Sequence, residues 1–188
     1  MGTHSKPNVD GDLKIVKDTP ITQRPYHLFL RFLALSLTLI STIIVALDKE
    51  TKTIPYAGMQ FKATAKWEYM SAIVFFLVSN AIACSYAVVS LVITVMARRS
   101  GKENVAVLVV TVVDLVIMAL LFSANGAASA VGVIGQKGNS HVQWMKVCNV
   151  FDVYCRHVTA ALVLSLIGST LFLLLVVHSL FKLHYTSS

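Results

Sequence analysis

The sequence predicts an all-α membrane protein, a four-helix transmembrane bundle with cytoplasmic N- and C-termini. Three observations carry that expectation. The 188 residues are 56% hydrophobic and 13% charged, with a mean hydropathy of +0.72, which removes the chain from the soluble globular class. Stretches free of Asp, Glu, Lys and Arg run over 32–47, 69–97, 105–122 (broken only by Asp114) and 157–181. A span needs about 20 mainly apolar residues, so each stretch crosses once if the first extends back past Arg31. Basic residues set the orientation. Eight lie on the side of the termini and seven on the other, but Arg98, Arg99 and Lys102 are packed beside two helix ends, where positive charge weighs most in keeping a segment cytoplasmic.

Residues 1–24 are polar, carry Pro7, Gly11 and Pro20, and read as a disordered cytoplasmic tail. That tail precedes the first apolar run and no small-residue cleavage site follows the run, so helix one is expected to persist rather than be removed as a signal peptide. Lys6 stands where myristoylation needs Ser or Thr, so no lipid anchor is expected. Residues 25–181 form one membrane domain, with Pro25 suited to a first helical turn. Helix one covers about 26–47 and stops at Asp48-Lys49-Glu50. Loop one, about 48–68, contains Pro55 and Gly58, with Trp67 and Tyr69 as interfacial aromatics. Helix two, about 69–97, reaches a turn over Arg98–Glu103, short enough to make helices two and three antiparallel neighbours. Helix three covers about 105–125. Its apolar character continues through NGAASAVGVIG (125–135), so the segment tilts or emerges as a small-residue extension. A loop over about 136–156 leads to helix four, about 157–181, and a cytoplasmic tail, 182–188.

One residue resists the apolar pattern. Asp114 in TVVDLVIMALL lies roughly 13 Å into helix three by the helical rise. A carboxylate at that depth costs about 2.5–3.5 kcal/mol and should face the bundle interior with a partner. Arg31 is the basic candidate within a span, with a depth mismatch of roughly 4–5 Å that a long side chain covers. Three readings compete. The two residues form a structural ion pair fixing helix register; or Asp114 is a stop on a proton or ion relay; or Arg31 reaches to the headgroups and a neutral Asp114 bonds a hydroxyl such as that of Thr111. A relay needs more titratable stops, and His27, His157 and His178 all lie near helix ends.

Small residues recur every four positions: Ala34, Thr38, Thr42 and Ala46; Ser79, Ala83 and Ala87; Ala124, Ala128 and Gly132; Ala161, Ser165 and Ser169. Such faces let membrane helices approach closely, and those left over are available to other copies of the chain. Cys148 and Cys155 are candidates for a disulfide. On one continuous helix their spacing would put them about 10 Å apart, beyond bridging distance. A bridge therefore requires a non-helical loop, favoured if that loop is extracellular; the alternative is two free thiols. Metal-ligand spacings, catalytic motifs and nucleotide-binding fingerprints are absent from the sequence, so no catalytic residue, metal or cofactor is expected. The net charge of +7 is scattered over both ends and all three loops rather than gathered in a stripe, which points to the bilayer surface and away from nucleic acid.

Three segments together resemble a known family: RPYHLFLRFLALSLTLISTIIVA with Arg31, TVVDLVIMALLFSANGAASAVG with Asp114, and WMKVCNVFDVYCRHVTAALVLS entering helix four. Over about residues 24–181 the chain is similar to the CASP-like proteins, relatives of the Casparian strip membrane domain proteins of plants, which are distantly similar to the MARVEL tetraspans. The resemblance implies a plasma-membrane protein that forms homo- and hetero-oligomers with related CASP-like chains. Founding members build immobile platforms that recruit cell-wall polymerising enzymes and limit lateral diffusion. It also implies that Arg31 and Asp114 are the family's characteristic intramembrane residues. IPYAGMQFKATAKWEY departs from the short acidic, Phe-rich loop of strip-forming members and fits the broader group.

The expected function is a non-enzymatic plasma-membrane scaffold that presents two extracellular loops to partners such as cell-wall proteins. The alternatives are a small proton-coupled transporter or channel using Asp114, and an accessory subunit of another membrane protein. Unbroken helices and the lack of repeats or a chain of intramembrane acids speak against transport.

Overall fold

In the computed structural model, which describes residues 23–56, 59–100, 103–142 and 144–187, four long helices form the body of the protein. They are α1 (Gln23–Leu47), α2 (Ser71–Ser100), α3 (Glu103–Lys137) and α4 (Asp152–Ser187). Each is long and apolar enough to cross a membrane, over Tyr26–Leu47, Ser71–Ala97, Val107–Lys137 and Asp152–Phe181. Valine-rich stretches such as Val107–Val113 are weak helix formers in water. In lipid no water satisfies the backbone, and an intrahelical ladder becomes the available solution.

The helices close into a ring in chain order, α1 against α2 and α4, α3 against α2 and α4. Cross-helix bonds show that neighbours run antiparallel. On α1 and α4 the Ser41 hydroxyl donates to the Ala161 carbonyl at 2.8 Å, and towards the other end the rings of His27 and His178 meet at 6.1 Å. Gly168 permits a close approach of this pair, since a Cβ there would lie 3.1 Å from Thr38 Cγ2. Ala34, Thr38, Ser79, Ala83, Ala87, Ala124, Ala128, Ala161, Ser165 and Ser169 are all buried. Most of the small-residue positions are therefore the bundle's own seams, whereas Ala46 is exposed and a Cβ at Gly132 would meet no atom within 4 Å. Ile40, Ile43, Val88, Val92, Val112 and Val116 face outward instead.

Several boundaries correct the sequence reading. Helix two starts at Ser71 rather than about 69 and continues past 97 to Ser100, helix three covers 103–137 rather than 105–125, and helix four begins at Asp152 rather than about 157. Residues 182–187, expected as tail, continue helix four. Charge-free runs mark the hydrocarbon core, whereas a helix carries on into the headgroup layer wherever nothing stops it. At 35 residues α3 is about 52 Å long, well beyond a hydrocarbon core of about 30 Å. It ends at Gly138, whose φ of +68° and amide bond to the Ile134 carbonyl at 2.8 Å are those of a left-handed helix cap. Of the expected Arg98–Glu103 turn, Arg98–Ser100 belong to α2 and Glu103 opens α3; Gly101 and Lys102 lie outside the described residues, as does the tail over 1–22.

Loop one is not irregular. It is an antiparallel hairpin of β1 (Lys49–Tyr56) and β2 (Met59–Lys66), paired from Lys49↔Lys66 to Tyr56↔Met59, followed by a 3₁₀ turn over Trp67–Tyr69. Ala65 packs into a buried cluster with Val45, Ile73, Phe76 and Phe151, seating the hairpin on the bundle end away from the chain termini. Two carboxylates fasten it to α4. Glu50 accepts the Tyr154 amide at 2.8 Å, satisfying a first-turn N–H that has no partner within its own helix, and Asp48 lies 3.0 Å from His157 Nδ1. Trp67 is partly buried against the same cluster, whereas Tyr69 is exposed.

Candidate functional site

The two residues singled out by charge meet inside the bundle. Arg31, 1% exposed, and Asp114, fully buried, form a two-pronged ion pair: Nη1 donates to Oδ1 at 3.2 Å and Nη2 to Oδ2. α2 completes the layer. Arg31 Nη1 also donates to Ser90 Oγ at 2.8 Å, and that hydroxyl lies 3.0 Å from the Ala87 carbonyl, to which it donates. The Tyr86 hydroxyl lies 2.7 Å from Asp114 Oδ1 and 2.9 Å from the Val110 carbonyl; its single proton serves one of them at a time. Guanidinium has no acceptor, so donors at both Asp114 oxygens suit the ionised carboxylate. Thr111 is not a partner, because its hydroxyl bonds the Val107 carbonyl at 2.7 Å. The layer thus ties α1, α2 and α3 together at one depth.

Tyr86 and Ser90 were missed by reasoning from charge, yet for Ser90 a signal existed. Counted from the helix ends on the termini side, Arg31, Ser90 and Asp114 lie at about 12, 15 and 16 Å by the helical rise. Polar side chains at matched depth on adjacent antiparallel helices are candidates to bond one another.

A second polar layer lies towards the other end and joins α2, α3 and α4. Ser165 donates to Asn80 Oδ1 at 2.8 Å, while Asn125 Nδ2 donates to the Leu121 carbonyl at 2.8 Å and lies 3.0 Å from Ser165 Oγ. Asn80 and Asn125 are both essentially inaccessible. In this way Asn80, Asn125 and Ser165 are turned onto one another, as an apolar surrounding favours, while Asn125 Oδ1 has no hydrogen-bond partner among the described residues.

The two loop cysteines come together as well. Cys148, in a 3₁₀ turn over Val147–Asn149, is bonded to Cys155 in the first turns of α4, with Cα atoms 5.7 Å apart. The chain breaks its helical path at Phe151, and that break brings a spacing of seven within bridging distance. Cys84 is the free cysteine, its thiol 3.2 Å from Thr38 Oγ1. Among the described residues no group of His, Cys, Asp and Glu has the arrangement of a metal site.

Four apolar spans around a buried arginine–aspartate layer define a class, the small multi-pass tetraspan membrane proteins. Within it, the chain belongs to the Casparian strip membrane protein domain family, whose model matches residues 22–171. Relatives include CASP-like protein 1E1 of Vitis vinifera, 48% identical over 201 aligned positions that cover 100% of this chain and 99% of the relative. CASP-like protein 1E2 of Glycine max is 48% identical, covering 88% of this chain and 90% of the relative. CASP-like protein 1E1 of Arabidopsis thaliana is 37% identical, covering 97% and 100%. No solved structure matches the chain.

Proposed function

We propose that this chain is a non-enzymatic scaffold of the plasma membrane, with both termini cytoplasmic, that assembles with copies of itself and with related CASP-like chains into a membrane platform. One observation carries the reading: Arg31 and Asp114 are buried and engaged with each other, with Tyr86 and with Ser90, within helices that run unbroken through their spans. A transport site needs groups that can exchange a passenger, and helix breaks commonly supply them. A buried pair whose two Nη groups and both carboxylate oxygens are engaged serves register instead. The outward faces of large aliphatic side chains are the surfaces left for contact between copies. The basic cluster Arg98, Arg99 and Lys102 supports cytoplasmic placement of the adjoining ends, and the disulfide at the opposite end suits an oxidising exterior. The hairpin and the disulfide-bonded loop would then meet cell-wall proteins.

Two differently tagged copies expressed together test assembly. Co-purification in mild detergent at equal expression is the expected result, and recovery of one tag alone contradicts it. Liposomes test the competing reading. An Asp114-dependent flux that follows a proton gradient would replace the scaffold with a carrier.

A further inference from the structure

At the end of the bundle that bears the hairpin, α2, α3 and α4 do not close on one another. They enclose a cavity of about 580 Å³, within the range of about 300–1,000 Å³ usual for small-ligand pockets. Its walls are mainly apolar, with Ile73 on α2, Val131 on α3 and Val158 on α4, and exposed Trp144 and Met145 form its lip. Gly132 faces open space, since a Cβ there would meet no atom within 4 Å. The cavity starts at the span ends, where Ser71 opens the second span and Gln136 lies next to the end of the third, and it reaches Thr159, about 10 Å into the fourth. By the span limits the mouth lies at the membrane boundary, with Ile73, Val131 and Val158 within about 10 Å of it.

Charge distinguishes this mouth. Lys137 follows Gln136, and Lys146 lies between Met145 and Val147 with its Cγ 3.3 Å from where a Gly138 Cβ would stand. Both lysines are exposed, and among the described residues neither has an acidic partner. Nearby acids are occupied elsewhere: Glu68 lies 3.9 Å from Lys66 and Asp152 3.9 Å from Lys52.

We propose that this cavity binds one glycerophospholipid with an anionic headgroup, its acyl chain between α2, α3 and α4 and its phosphate beside Lys137 and Lys146. A half-open, mainly apolar cavity at the ends of the spans is reached directly by the lipids around it. Lys137 and Lys146, each next in sequence to residues that line the mouth, would select the anionic ones. The disulfide forms part of the wall, because Cys148 and Cys155 both line the cavity. The site does not depend on assembly or on which side the termini occupy.

Native mass spectrometry of the full chain tests this, after release from nanodiscs containing equal parts of phosphatidylglycerol and phosphatidylcholine with identical acyl chains. One retained phosphatidylglycerol is expected. Gly132→Leu fills the chamber: four side-chain carbons displace about as many chain methylenes, each worth a factor of about four, so retention falls on the order of 100-fold. Ala119→Leu, on the outward face of the same helix, should retain lipid as the wild type does. Lys137→Ala with Lys146→Ala should keep a bound lipid but lose the anionic preference, by about fivefold per lysine. An intact disulfide and an unchanged unfolding midpoint show that each variant is folded. Equal retention by folded Gly132→Leu overturns the site, and undiminished preference in the double lysine variant overturns the headgroup assignment. Lipid-free wild type whose dimer fraction falls in Gly132→Leu overturns the proposal in favour of a second copy as occupant.

Discussion

Replacing Asp114 with asparagine removes one charge from a buried pair and leaves the other. The amide also presents N–H to one prong of the Arg31 guanidinium, so a donor faces a donor. Two charge-assisted hydrogen bonds are affected, each worth about 1.5–3 kcal/mol. The sum agrees with the about 3–5 kcal/mol lost when a buried pair is broken from one side. For a chain of this size that lowers an unfolding midpoint on the order of 10 °C. Arg31→Leu should cost a similar amount, because it strands the carboxylate with only Tyr86. Arg31→Leu combined with Asp114→Leu should be far milder than the sum, since no charge then remains buried. The exchanged pair, Arg31→Asp with Asp114→Arg, should recover part of the loss. The assay is thermal unfolding of purified protein in one detergent, followed by size-exclusion profile and run as a double-mutant cycle. Single variants that unfold with the wild type, or losses that simply add, would refute the claim that the pair fixes register.

Three further outcomes follow. Tyr86→Phe removes one hydrogen bond to a charged acceptor and should cost about 1.5–3 kcal/mol in the same assay, with no added effect once Asp114 is leucine. Glu50→Ala should free the first turn of α4, raising hydrogen exchange at the Tyr154 amide and costing about 1 kcal/mol, as loss of a helix cap does; unchanged exchange would show that the hairpin is held by its apolar face alone. Maleimide labelling of protein denatured from acid-quenched membranes, in which thiol exchange is stopped, should modify only Cys84 before reduction and all three cysteines after. Cys148→Ser should lower stability by about 2.5 kcal/mol for so short a loop.

How much of this was legible follows from what each signal measures. Hydropathy reports the hydrocarbon layer, so the four spans were readable while helix ends at Ser100, Lys137 and Asp152 were not. The pairing of Arg31 with Asp114 was readable because charge in a span is costly and depth follows from counting. Tyr86 and Ser90 carry no charge, and nothing marks them until helices are set side by side. The second strand was legible, since MQFKATAK alternates Met59, Phe61, Ala63 and Ala65 with Gln60, Lys62, Thr64 and Lys66, but KETKTIPY lacks that alternation and carries Pro55, tolerated because both strands are edges. Small-residue repeats identified contact faces but not their partners, and burial assigns most of them to the bundle itself.

Fluorescence recovery of tagged full-length protein in its native plasma membrane, with chemical cross-linking of the same sample, tests the scaffold most directly. Slow, incomplete recovery together with cross-linked multimers is the predicted result. Rapid, full recovery with only monomers cross-linked would contradict it.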